Sequence, residues 1–225
     1  MEATGPARPK PDRRRLYLIL VPIVALTIAG YVGDALAAGL VKRHPLWLIA
    51  LNPRKRYLAL VVPHTDPLPY FVVGMLRQFS SDPLFYLLGR WYGDAGVRWL
   101  ERKLGEGGSL VRFMERGFAK ASWPMVAIFP NYLMCMLAGA SNMPTLLFLA
   151  LNLGGTFLSM ILLRTVGDVF GAPLRAFTDF LDHYRWPLIA LSTVAVAYTV
   201  WSGRKKGGLE TPSEIERELE EEAPD

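Results

Sequence analysis

The chain has 225 residues, 52% of them hydrophobic, and a net charge of +5 from 25 Lys and Arg against 20 Asp and Glu. Several uncharged runs approach or exceed the roughly 18 residues that mark a membrane-crossing helix, which excludes an ordinary soluble domain and indicates an integral membrane protein. The cations flank apolar runs, as orientation signals do, so the basic balance is no sign of nucleic-acid binding.

Residues 1–15 are proline-rich and basic and read as a disordered tail. Leu16 to Leu40 follow, with Asp34 as their only charge. The run is too long for a signal peptide and has no clear small-x-small cleavage site, so it reads as a transmembrane helix with Asp34 near its far end. In 42–56 a short apolar core lies between cations, the pattern of an interfacial helix. Residues 57–76 are apolar at both ends and broken by Pro63, Asp66, Pro67 and Pro69, which predicts a re-entrant hairpin closing at Gly74. Ser80 to Pro83 reads as a helix start, with Asp82 as N-cap and Pro83 in the first turn. Asp82, Tyr86, Gly89 and Gly93 then share one helix face, and the two glycines allow another backbone to approach closely. Residues 94–121 are amphipathic and basic, as suits helices on an anionic membrane surface.

From Ser122 the chain is apolar again, but Pro124, Pro130-Asn131 and Gly139 break it before it could cross a bilayer. Thr145 to Leu163 is a clean stretch of 19 uncharged residues. The pattern predicts a second re-entrant hairpin feeding a transmembrane helix. Non-helical backbone at membrane depth persists only when buried in protein or lining a wet cavity. Asp168 to Asp182 reads as a polar loop, Tyr184 to Trp201 as a last span, and 204–225 as a charged, disordered tail. The expected fold is an all-α membrane protein, with 16–203 forming four transmembrane helices and two hairpins. Counting cations at the ends of the spans favours both termini inside, as a multi-pass protein of the inner (plasma) membrane.

The two hairpins look like versions of one unit. Residues 60–74 can be laid on 127–139, and each hairpin is followed by a proline-started helix and an Arg-x-x-Gly-Asp, at Arg90 to Asp94 and at Arg164 to Asp168. With the two entering from opposite faces, this is an inverted repeat of broken helices, an architecture of secondary transporters. The pattern Asp82, Tyr86, Gly89, Arg90, Gly93 resembles the signature after the first hairpin of the DedA family (the VTT or SNARE-associated domain). Phe129-Pro130, Ala138-Gly139, Met143-Pro144, Phe148, Asn152 and Gly154-Gly155 resemble that family's second hairpin and the helix after it. The resemblance covers roughly residues 40–203. It implies a carrier of phospholipid or polyprenyl-phosphate between leaflets, proton-linked in some members. The family's second hairpin usually carries two arginines, and here those positions are Ala127 and Leu133. The acidic position of the first hairpin corresponds to Asp66.

Asp66 is therefore the first candidate for a substrate or proton pathway, with His64 two residues away able to share a proton. An aspartate at the centre of a membrane helix costs about 2.5–3.5 kcal/mol on insertion scales. Asp82 reads as an N-cap or a relay. Arg90 reads as a lipid-phosphate ligand or an interfacial snorkel, and Asn131 as a headgroup contact or a turn residue. Pro63 and Pro130 mark the hairpin breaks, and Gly139 and Gly154 read as packing positions. The lone Cys135 lies in an apolar run and reads as a small buried hydrophobe. There is no nucleophile motif, phosphate loop or metal-spaced Cys/His cluster, so neither an enzyme nor a metal or other cofactor is expected. The expected partners are membrane lipids, with a proton gradient and a homo-oligomer left open. The alternative is a non-transporting scaffold or envelope-maintenance factor acting through its charged tail.

Overall fold

A computed structural model describes residues 13–93, 122–128, 131–204 and 212–222. Among these residues every regular element is helical. In chain order they are α1 (Arg13–Arg43), α2 (Pro45–Leu51), α3 (Lys55–Val61), a 3-10 turn (Val62–His64), α4 (Pro67–Phe79) and α5 (Asp82–Tyr92). Then come α6 (Tyr132–Ala140), α7 (Thr145–Val169), α8 (Gly171–His183), α9 (Arg185–Arg204) and α10 (Pro212–Glu222), and residues 122–128 are helical too. The expected surface segment 94–121 and the break at Phe129-Pro130 lie outside the described residues.

Two helices are long and apolar enough to cross a membrane: α1 over Leu16–Arg43 and α7 over Thr145–Val169. At 1.5 Å per residue they reach about 42 and 38 Å, more than the roughly 30 Å of hydrocarbon. Ile28, Val32 and Leu36 on α1 are exposed, as are Leu68, Val72 and Leu76 on α4 and Leu158, Leu162 and Val166 on α7. Four-residue spacing places each trio in one stripe. Stripes of this kind suit hydrocarbon, since monomeric soluble proteins rarely leave large contiguous apolar patches in water.

The chain divides into two compact units. The first comprises residues 1–23, 82–152 and 210–225. Its centre is the packing of α5 on α6, set by two glycines. A Cβ on Gly89 would overlap the Met136 carbonyl oxygen, and one on Gly139 would overlap the Tyr86 carbonyl oxygen. Only glycine permits that approach on both sides. Helix α5 also runs antiparallel to the first turns of α7, where the Tyr86 ring stacks on Phe148 at 4.3 Å and Asp82 meets Asn152.

The second unit comprises residues 24–81 and 153–209. After α1 the chain reverses through α2, which runs back along α1 until Asn52 reaches the Gly30 carbonyl. Gly33 makes room, because a Cβ there would meet the Asn52 Cβ at 2.8 Å and the Leu51 Cβ at 3.1 Å. Leu48 and Ile49 of α2, Leu58 and Val61 of α3, Tyr70 of α4 and Met160 of α7 form one buried core. Helix α4 runs antiparallel to the later turns of α7, with Arg164 over the Tyr70 ring and Met160 filling the space beside Gly74. Arg77 near the end of α4 donates to the carbonyls of Ala50, Leu51 and Leu26, satisfying the last turn of α2.

Three features go beyond the sequence reading. Within residues 42–56 the short apolar core forms α2, which turns Leu48 and Ile49 into the core, and α3 begins separately at Lys55. The polar stretch 168–182 is mostly helix α8, whose more buried face repeats at Gly171, Leu174, Thr178 and Leu181. The tail holds α10, started by Pro212 with Glu214 in its first turn, a favourable helix start.

Candidate functional site

The most developed polar constellation gathers around Asp34 in the second unit. Asn52 is the extended C-cap of α2 and precedes Pro53, which cannot continue the helix. Its side-chain oxygen accepts from the Arg54 backbone N–H at 3.3 Å, and its Nδ2 donates to Gly30 and to Asp34 Oδ1 at 2.9 Å. This corner delivers Arg54, the extended N-cap of α3, and Arg56 and Tyr57 in its first turn to the flank of α1. Arg54 Nη1 donates to Asp34 Oδ2 at 2.7 Å, Arg56 Nη2 to Oδ1 at 2.5 Å, and Tyr57 Oη to Oδ1 at 2.7 Å. The Asp34 side chain is 14% exposed, while the two arginine side chains are 56% and 57% exposed.

These groups line a cavity of about 500 Å³ whose other wall is Ser192, Ala195, Val196 and Thr199 of α9, with Tyr31 from α1. One carboxylate faces two guanidiniums, so the lining carries net positive charge. Asp34 lies about 7 Å along the axis from the middle of the 28-residue apolar stretch of α1. In the sequence Asp34 is the lone charge of its span, and Arg54 and Arg56 are among the cations that flank a short apolar core. Their meeting is not legible there, because only the reversal of α2 brings them together. The available signal was Asn52-Pro53 followed by three cations, a corner after an apolar helix.

The chain breaks between α3 and α4 where its prolines predict. Pro63 lies in the 3-10 turn, and Asp66 is the extended N-cap of α4. Asp66 is exposed and makes no side-chain capping bond. His64 Nε2 lies 2.8 Å from Thr178 Oγ1, which itself donates to the Arg175 carbonyl. The Thr178 lone pairs are thus free to accept, and His64 donates from Nε2. Arg164 Nη1 donates to the Thr65 carbonyl at 3.1 Å, and Gly167 packs on Val62.

The remaining candidates lie in the first unit. Asp82 is 5% exposed and its Oδ2 accepts from Asn152 Nδ2 at 2.8 Å. Arg90 donates to the Tyr86 hydroxyl at 2.7 Å, and that hydroxyl donates to the Met143 carbonyl at 2.6 Å. Asn131 caps α6, accepting from the Met134 N–H at 2.9 Å. Gly93 has φ 54°, a conformation that favours glycine at the end of α5. A Cβ on Gly154 would meet no atom within 4 Å among the described residues. Cys135 is fully buried, with Sγ 3.7 Å from Asn152 Oδ1. Asp82, Arg90 and Asn131 therefore belong to one unit and Asp66 and His64 to the other.

At the far end of α1, Lys42 pairs with Asp179 at 2.7 Å and Arg43 with Asp182 at 3.1 Å. The Asp182 carboxyl is held below its ordinary range, chiefly by the Arg43 hydrogen bond, with Arg185 adding to it. No family model matches the chain, and no curated protein or solved structure matches it either.

Proposed function

We propose that this protein is an integral membrane carrier that moves an anionic lipid, a phospholipid or polyprenyl-phosphate, between leaflets, as its resemblance to the DedA family implies. In this reading α1, α7, α9 and a segment containing α5 cross the bilayer, and residues 57–76 and a second segment that includes 127–139 form hairpins of an inverted repeat. Both termini face the cytoplasm. The observation that carries the proposal is the charged cavity in which Arg54 and Arg56, at the start of α3, meet Asp34 of α1, a helix long and apolar enough to span a membrane. Charges within an apolar span are costly unless they serve a pathway or partner one another. Here they do both: they pair, and they border open space that a polar headgroup could enter while its acyl chains stay in hydrocarbon. The Arg-x-x-Gly-Asp sites add support for a repeat. Arg164 is tied to the break of the first hairpin, and Arg90 to the loop that follows α6. Reconstitution into liposomes tests the proposal: the full chain is expected to accelerate headgroup exchange of an anionic lipid, and no acceleration for any major lipid sinks it.

A second reading, a non-transporting scaffold, is favoured by α10, an acidic helix whose Ile215 is buried. Removing residues 207–225 then abolishes the cellular role while leaving the fold intact; an unaltered phenotype counts against it.

A further inference from the structure

We infer that Arg54 and Arg56 form a binding site for a phosphate-class oxyanion, latched in the empty state by Asp34. This deepens the lipid-carrier reading, and rests on it only for where the anion comes from. Each guanidinium has five N–H donors in a rigid fork suited to two-oxygen acceptors. Among the described residues, the Arg54 side chain uses one donor, on Asp34, and Arg56 uses two, on Asp34 and on the Tyr57 hydroxyl. The remaining donors belong to side chains more than half exposed at a cavity in which Asp34 is the sole carboxylate.

Asp34 is more fully engaged. Its Oδ1 accepts from Asn52, Arg56 and Tyr57 and its Oδ2 from Arg54, so four donors meet one carboxylate, three of them on one oxygen. The carboxylate is thus well satisfied while the guanidiniums keep unused donors. One positive charge is left uncompensated beside the Ser192 and Thr199 positions of the facing wall. A tetrahedral oxyanion with several acceptor oxygens matches that surplus in charge and geometry. The volume of about 500 Å³ admits a phosphate ester headgroup and lies within the roughly 300–1,000 Å³ of small-molecule sites. Asp34 competes with the incoming anion for the same two guanidiniums. It holds the arginines in place when the site is empty and weakens the anion's grip when the site is filled.

The test is binding to the purified full chain in detergent, measured calorimetrically with three probes. These are inorganic phosphate, a short-chain phosphatidic acid, and a short-chain phosphatidylcholine as the zwitterionic comparison. The variants are Arg54→Gln, Arg56→Gln and Asp34→Asn, each checked for a monodisperse profile and native helicity. Loss of one charge-assisted contact is expected to weaken anion binding about tenfold or more in either arginine variant. Removing the competing carboxylate is expected to strengthen it about fivefold or more in Asp34→Asn, a gain that a misfolded protein cannot mimic. Binding of phosphatidic acid without inorganic phosphate assigns the anion to a lipid, the reverse assigns it to a soluble phosphate, and binding of both assigns the shared group. No anion binding, equal binding in all variants, or weaker binding in Asp34→Asn overturns the site. Because binding is read without transport, failure of lipid exchange alone removes the carrier reading and leaves the site standing.

Discussion

The two units solve the problem of polar groups among apolar helices in opposite ways. In the first, Asp82, Asn152, Tyr86 and Arg90 are partnered by side chains and backbone, and glycine contacts leave no gap between α5 and α6. In the second, Asp34 accepts four hydrogen bonds while its arginines keep unused donors, and they border a cavity. The first arrangement holds structure; the second keeps binding capacity in reserve. Variants should therefore separate cleanly, with stability lost from the first unit and function lost from the second.

The largest effect is expected at the glycine contact. Gly139→Ala places a Cβ against the Tyr86 backbone, which cannot yield as a flexible side chain would. Overpacking typically costs about 1–3 kcal/mol, and a backbone clash belongs at or beyond the upper end. Thermal unfolding followed by size exclusion should show a large drop, with Gly89→Ala similar; a melting point within a degree of the native chain would break the contrast. Next is Asn52→Ala. It strips the corner of three part-buried bonds, to Gly30, Asp34 and Arg54, at about 0.5–1.5 kcal/mol each. Both stability and anion binding should fall, because the corner is what delivers the arginines.

Arg54→Gln and Arg56→Gln sharpen the contrast from the other side. Ion pairs with one half-exposed partner contribute roughly 0–1 kcal/mol, so melting should shift little while exchange collapses. The smallest effect concerns Asp182. Its carboxyl is depressed by Arg43 and Arg185, so the contribution is present above the ordinary carboxylate range and is lost as pH falls through the lowered value. Thermal unfolding followed against pH should show a small loss as the pH falls below the ordinary carboxylate range, and Asp182→Asn should reduce that dependence.

Much of the helical layout was legible because it rests on local rules. The uncharged run from Thr145 announced α7, which continues to Val169 past the charge at Arg164. Pro63, Pro67 and Asp66 announced the break before α4, and Asn131 announced the start of α6. Helix α8 was missed because its Asp and Arg content masked a stripe repeating every three to four residues. The cavity was missed for a deeper reason. Asp34 and Arg56 are 22 residues apart, and their contact depends on α2 folding back over Gly33. No local pattern encodes that reversal. Asp66, conspicuous in the sequence among prolines, is exposed and makes no side-chain capping bond.

The most direct test of the carrier reading is headgroup exchange of a fluorescent anionic phospholipid in proteoliposomes. The full chain would be compared with the Arg54→Gln, Arg56→Gln double variant, and with Gly154→Ala, where open space predicts no change. The expected result is exchange by the native chain and by Gly154→Ala, with about a tenfold or greater loss in the double variant at unchanged melting temperature. Equal exchange by all three proteins, or by none, would contradict the assignment of the Asp34 cavity as the headgroup path.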